Sequence, residues 1–334
     1  MIDYWRTRYD WRAQERELNR FAQFKVDIDG SGVHCIHQAG RGPNPKPLLL
    51  VHGWPGSVYE FDQIIPMLTD PAAYGGDPRD SFSVVAPSLP GYGFSDDPGG
   101  GMNVRAMAQV FHELMTGVLG YRRFGAQGGD WGAAIVSSLG YDYPRDLIGI
   151  HLNLVGVPRP QQRRGQELDE NEQRHLAQQE HWRREEMGYR WIHATKPQTL
   201  AYALNDSPAG LAAWIVEKFR TWSDCEGDVE RRFTRDQLLT NITIYWVTQS
   251  INSSMRLYYE QQHHPFRPAP GRRIEVPTGA ALFHAEITLA PRSWAERIYN
   301  IKRWTEMPSG GHFAAMEEPE ALAAEIRAFF RELR

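Results

Sequence analysis

Gly128-Gly129-Asp130-Trp131-Gly132 lies between two stretches of different character. Arg123-Phe124-Gly125-Ala126-Gln127 before it has the length and apolar content of a short strand, and Ala133-Ala134-Ile135-Val136-Ser137-Ser138-Leu139 after it reads as a helix. A strand, a tight glycine turn and a helix hold one side chain above the end of a sheet, and only small neighbours fit so sharp a bend. The raised residue here is Asp130. A serine in that place makes esters from acyl substrates; an aspartate instead attacks a saturated carbon, in an epoxide or bearing a halogen, and becomes an alkyl ester. The bland alternative is a glycine-rich turn with Asp130 as helix N-cap.

Working outward, the chain alternates strand and helix patterns. Phe24–Ile28 alternates and turns at Asp29-Gly30 into a hairpin partner, Val33–His37. Leu48-Leu49-Leu50-Val51 is continuously apolar, as in a strand covered on both faces of a parallel sheet. Phe82–Ala86 and Ile148–Leu154 are further candidates, with a helical pattern over Ala106–Leu119. This order predicts an α/β fold with a mainly parallel sheet. From Pro158 to about Gly188 the chain turns polar, with Gln161-Gln162-Arg163-Arg164 and Arg183-Arg184-Glu185-Glu186. A solvated helical face explains this better than a binding patch. Helical patterns run on to about residue 260, clearest over Ala209–Trp222. Strand character returns at Val276–Phe283, and Leu322, Ile326, Phe329, Phe330 and Leu333 line one face of a last helix with Pro319 in its first turn. The expected division is an arm (1–23), a core (24–157), a helical insertion (158–265) and the rest of the core (266–334).

The 334 residues carry 37 Lys plus Arg against 41 Asp plus Glu, a net charge of −4. No run of like charge is long enough for a nucleic-acid arm. Cys35 and Cys225 are too few and isolated for a disulfide framework or thiolate metal site, which favours a reducing compartment. No apolar run approaches the ~20 residues that cross a bilayer. The expectation is a cytoplasmic protein with no membrane, nucleic-acid, metal or cofactor partner; a homodimer is entertained.

An alkyl ester on Asp130 must be hydrolysed, so a base is needed. His312, in Gly310-Gly311-His312-Phe313, precedes the last helix, where the order nucleophile, acid, histidine puts the base. A carboxylate must fix its tautomer. His151–Pro158 contains none, whereas the strand ending near Phe283 is followed by His284-Ala285-Glu286. Glu286 is the choice, with Glu296 second; Glu275 is set aside as preceding its strand. Charge on the Asp130 carbonyl needs backbone N–H donors. Trp131 supplies one. The loop His52-Gly53-Trp54-Pro55-Gly56-Ser57 supplies the other, from Trp54.

These motifs, with Tyr4-Trp5-Arg6-Thr7-Arg8-Tyr9-Asp10-Trp11-Arg12, Leu89-Pro90-Gly91-Tyr92-Gly93-Phe94-Ser95, Thr195-Lys196-Pro197 and Ala203-Leu204-Asn205-Asp206-Ser207-Pro208, recur in order over nearly the whole chain. The chain resembles the microsomal-type epoxide hydrolases of the α/β-hydrolase fold. That resemblance implies an eight-stranded, mostly parallel sheet flanked by helices, and a helical cap carrying two tyrosines that bond the epoxide oxygen. By motif position these are Tyr189 and Tyr258, with Tyr259 or Tyr245 next in line for the second. A phenol is a neutral acid at pH 7, which an opening alkoxide requires. Residues 158–186 match the family poorly, so no substrate range is implied.

The expected activity is hydrolysis of a small apolar epoxide to a vicinal diol, in a detoxifying role. Asp130 is the nucleophile, His312 with Glu286 activates water, and Trp54 and Trp131 also line the pocket. A haloalkane dehalogenase with the same Asp130 is the second reading, since it would not need the tyrosine pair. A ligand-binding relative without turnover is the third.

Overall fold

The computed structural model describes residues 1–159, 167–265, 269 and 271–333. One eight-stranded sheet runs through it, in the spatial order β1-β2-β4-β3-β5-β6-β7-β8. The strands are β1 (Gln23–Ile28), β2 (Ser31–Gln38), β3 (Lys46–Val51), β4 (Phe82–Pro87), β5 (Phe124–Gly128), β6 (Leu147–Leu152), β7 (Ile274–Ala285) and β8 (Tyr299–Gly311). β1 and β2 form the antiparallel hairpin, β2 meets β4 antiparallel, and all other pairings are parallel.

The apolar run in β3 is explained by what covers it. Leu49 and Val51 join the larger core cluster, beneath the helices Val104–Glu113 and Asp130–Asp142. Leu48 and Leu50 point the other way, into the cluster formed with Ile64–Thr69 and the terminal helix Pro319–Arg331. Alternate residues of one strand therefore serve two cores, so no polar face is left in the pattern. Burying each such side chain contributes roughly 1.5–3 kcal/mol.

Several expected elements shift by a residue or more. The helix foreseen over Ala106–Leu119 starts at Val104, capped by Asn103, and gives way to a π turn at Leu114–Val118. Glu275 lies inside β7 as its second residue, at the end opposite Glu286. Gln161-Gln162-Arg163-Arg164 and the expected boundary at residue 266 lie outside the described residues. The polar stretch that follows does form a helix, Glu170–Glu185, closed by a reciprocal capping box between Asp169 and Glu172. Its surface is largely solvated, but Glu172 and His175 are buried. Glu172 accepts from the Trp294 indole, and His175 Nδ1 bonds Leu289 O at 2.9 Å.

The helices Glu170–Glu185, Gly188–Thr195, Pro197–Asp206, Pro208–Trp222, Arg235–Thr248 and Ile251–His263 all lie between β6 and β7 in the chain. The first helices of the molecule, Ile2–Thr7 and Trp11–Leu18, reach this excursion as well. Tyr4 donates to Asp236 at 2.9 Å and Tyr9 to Thr240 at 3.1 Å. The described parallel strands end together at one edge: β3 at Val51, β5 at Gly128, β7 at Ala285 and β8 at Gly311. The residues just past those ends are where a ligand site forms in such sheets.

Candidate active site

Asp130 is held in a backbone conformation that non-glycine residues avoid. Its φ is +46°, and the helix Asp130–Asp142 starts at that residue. Such a conformation costs on the order of 1–3 kcal/mol and persists only when the surroundings enforce it. Gly132 shows how: a Cβ there would lie 1.9 Å from Val51 O, so the helix meets β3 backbone to backbone. Asp130 is not a cap. Gly129 holds the N-cap position without a side-chain bond, and Asp130 Oδ1 instead accepts the Trp54 N–H at 2.8 Å.

The other oxygen faces the histidine. His312 Nε2 lies 3.4 Å from Asp130 Oδ2, and its Nδ1–H donates to Glu286 Oε1 at 2.6 Å. Glu286 sits one residue past β7 in a turn closed by its own N–H to Phe283 O, and its Oε1 also accepts the Ile287 N–H. His312 N–H donates to Trp222 O at 2.9 Å, so the helical excursion holds the histidine loop directly. Burial opposes a charge on His312, but the Glu286 carboxylate and Asp130 outweigh it and hold the imidazole well above its usual range. Glu296, the second-choice acid, lies elsewhere: it is half-exposed and paired to Arg292 at 2.7 Å.

Tyr189 and Tyr258 come from two helices of the excursion, Gly188–Thr195 and Ile251–His263, and meet over the nucleophile. Their rings cross edge to face at 5.8 Å. Tyr189 stacks on Trp54 at 5.1 Å, and Tyr258 stands edge-on to Trp131 at 4.7 Å. The hydroxyls are near enough to interact, yet among the described residues the buried Tyr258 hydroxyl has no partner in hydrogen-bond geometry. Burial, reinforced by the Asp130 carboxylate, keeps both phenols above their ordinary range and therefore protonated. The substitutes have other employment. Tyr245 donates to Gly56 O at 2.6 Å, and Tyr259 stacks on His263 at 4.0 Å.

The Trp54 loop is fixed from both sides. His52 Nδ1–H donates to Gly53 O, and its Nε2 accepts the Leu89 N–H at 3.1 Å. Burial pushes this imidazole down to about 4, so it stays neutral and can accept. Asn241, on the helix Arg235–Thr248, donates to Pro55 O and accepts from Ser57, both at 2.8 Å. Trp131 N–H, the second expected donor, lies in the first turn of its helix, where N–H groups have no intrahelical partner. Among the described residues no bond from it to Asp130 is formed.

The description "Epoxide hydrolase N terminus" matches residues 1–61, and "alpha/beta hydrolase fold" matches residues 46–189. A Stigmatella aurantiaca protein that bears the epoxide hydrolase name is 46% identical over 336 residues, covering 100% of this chain and 75% of that protein. Epoxide hydrolase 1 of Oryctolagus cuniculus is 42% identical over 358 residues, covering 98% and 78%. This chain belongs to the microsomal-type epoxide hydrolase family. The crystal structure of juvenile hormone epoxide hydrolase from Bombyx mori superposes with a TM-score of 0.88 at 32% identity, covering 100% of this chain and 84% of that one.

Among the described residues, two cavities reach the catalytic cluster of this epoxide hydrolase. One, of ≈ 280 Å³, is lined by Trp131, Tyr258, Arg190, Ala194, Gln261 and Gln262. The other is small, ≈ 20 Å³ open to the centre of a water, and lies against Asp130 and His312 with Glu60, Gln127 and Asn153 in its wall. Reasoning from sequence passed over Glu60. Its signal was faint: one carboxylate between Tyr59 and Phe61, in a turn, Val58–Phe61, whose other side chains are all buried. Among the described residues no cluster of His, Cys, Asp and Glu is arranged to hold a metal, and no helix is long and apolar enough to cross a membrane.

Proposed function

We propose that catalysis runs through two half-reactions centred on Asp130. Oδ1 is engaged by Trp54 N–H, so Oδ2 is the attacking atom. It bonds to a ring carbon of the epoxide as the carbon–oxygen bond of the ring breaks. Tyr189 and Tyr258 donate to the departing oxygen, which takes a proton there. In the second half, water adds to Cγ of the ester and gives its proton to His312. The negative charge collects on Oδ1, met by Trp54 N–H and, once formed, by Trp131 N–H. The Cγ–Oδ2 bond then cleaves, His312 returns its proton to Oδ2, and the vicinal diol leaves with that oxygen. The second proton of the water, left on the Asp130 carboxyl, passes to His312 and restores the resting carboxylate and imidazolium.

Esterification also readies the base. Asp130 loses its charge on alkylation, which removes one of the two carboxylates that hold His312 protonated. Its proton passes to the phenolate left in the tyrosine pair by ring opening, and the imidazole then becomes the acceptor the second half requires.

The observation that carries this reading is the continuous line of contacts from Glu286 through His312 and Asp130 to Trp54 N–H, with an unpartnered phenol above it. The helices between β6 and β7 act as a cap, and the ≈ 280 Å³ cavity beside Trp131 and Tyr258 is the substrate's way in. Trp131 and Tyr258 in its wall suit an aryl group on the epoxide, while Arg190, Gln261 and Gln262 make the rest of the lining polar. A cytoplasmic location, a homodimer and a detoxifying role rest on composition and resemblance alone.

The test sets diol formation from an aryl epoxide beside bromide release from a bromoalkane. Wild type should yield diol and Asp130→Ala none. Tyr258→Phe should slow alkylation by roughly 10²-fold, within the usual worth of a general acid. In a single turnover in ¹⁸O-water the label should end on Asp130 and not in the diol. Bromide without diol would return the protein to the dehalogenase reading.

A further inference from the structure

The small cavity against Asp130 and His312 has a polar wall that the two half-reactions leave unused. Gln127 is 2% exposed, and its Oε1 is buried without a partner among the described residues, while its amide donates to Asn153 Oδ1 at 2.7 Å. A buried orphan acceptor in a polar cavity marks a water site, and ≈ 20 Å³ exceeds the ~10–15 Å³ that one water needs. Glu60 lines the same space.

The carboxyl of Glu60 is brought there by two backbone devices. Gly53 N–H faces it and favours its charged form, one residue before the Trp54 N–H that holds Asp130. Gly56 leaves it room: a Cβ at that position would lie 1.5 Å from Glu60 Oε1. Consecutive amides of one loop therefore face a second carboxyl and hold the nucleophile.

We infer that this cavity seats the hydrolytic water and that Glu60 is the residue that positions it, resting on the two-step reading above. The water offers one proton to His312 Nε2 and the other to the acceptors Glu60 and Gln127, which turns its lone pair toward Cγ of the ester. Glu60 forms and breaks no covalent bond. It acts as a neutral group. Burial raises its carboxyl to about 8, with the Asp130 charge adding to the rise and His312 opposing it. A second anion beside Asp130 would otherwise repel the nucleophile's own charge.

A neutral acid and an amide offer the same carbonyl acceptor, so Glu60→Gln and Glu60→Ala separate positioning from mere packing. Rapid-mixing kinetics with an aryl epoxide, following alkylation by tryptophan fluorescence and hydrolysis by diol release, read the halves apart. In Glu60→Ala, alkylation should stay within about threefold of wild type, while hydrolysis falls at least tenfold. The alkyl-enzyme should accumulate, so that kcat and KM drop together. Glu60→Gln should recover hydrolysis to within about threefold. Equal loss in both halves, or an alanine variant that hydrolyses at the wild-type rate, would overturn the role of Glu60 alone. Failure of wild type to form any alkyl-enzyme would overturn the two-step reading and this inference with it.

Discussion

At Asp130 a strained backbone, an engaged oxygen and a free one coincide in a single residue. Its charge also governs its neighbour, because Asp130 and Glu286 together hold His312 above the usual imidazole range against the effect of burial. Asp130→Asn mimics the uncharged ester. In that variant the His312 resonance, followed by NMR against pH, should titrate lower than in wild type; an unchanged or higher midpoint would contradict the coupling. Asp130, His312 and Glu286 were legible because glycine flanks, position before the last helix and position just after a strand end each narrowed the choice. Tyr258 was not legible from its own residues. Tyr258 and Tyr259 are adjacent on one helix, and only the packed structure turns the first onto Trp131 and leaves the second against His263. Glu60 escaped because a lone carboxylate in a turn ordinarily faces water, and nothing in the local sequence says that Gly56 clears a path inward for it.

Among the elements, the helix Arg235–Thr248 bears most on the site without contributing a reacting atom. Asn241 ties two points of the Trp54 loop, and Tyr245 ties a third. Asn241→Ala leaves Pro55 O and the Ser57 hydroxyl without that partner in a buried place. It should cost about 1–3 kcal/mol of stability by urea unfolding. Because the loop carries Trp54 N–H, it should also slow ester hydrolysis more than the stability loss explains; a variant with lowered stability and unchanged hydrolysis would show the tie to be structural only. The strands were readable from apolar runs, since β3 faces two cores and leaves no polar signal to confuse the pattern. Their ends were less so: Gly128 closes β5, although glycine ordinarily argues for a turn. The helix Glu170–Glu185 was readable as solvated, but its inward pair was not, because Glu172 and His175 are buried through partners over 110 residues away, Trp294 and Leu289.

For the whole molecule, the sandwich of helices around the sheet encloses groups that resist charge. His151 in β6 is fully buried, packs against Phe329 of the terminal helix, and among the described residues has no partner for either ring nitrogen. Burial lowers it to about 4. A histidine with a depressed folded value adds full stability above ~6.5, its unfolded value, and loses it as pH falls toward 4. Replacing it by leucine should therefore help more as the solution becomes acidic. The unfolding free energy of His151→Leu relative to wild type should rise by up to about 1.4 kcal/mol per pH unit below 6.5. Urea titrations at pH 7.5 and 5 check this, and a pH-independent difference would count against it. The α/β arrangement itself was the most legible level, because alternation of apolar strands and amphipathic helices survives small errors in every boundary. The order of those strands holds one last consequence. The helical excursion leaves the sheet after β6 and returns at β7, and these two strands are hydrogen-bonded neighbours. An intervening segment thus departs and re-enters at the same seam, and displaces no strand from its place in the order. That roof can change length away from Tyr189, Trp222, Asn241 and Tyr258 without disturbing the order of the strands beneath it, and those four positions tie its shape to the bonds made and broken below.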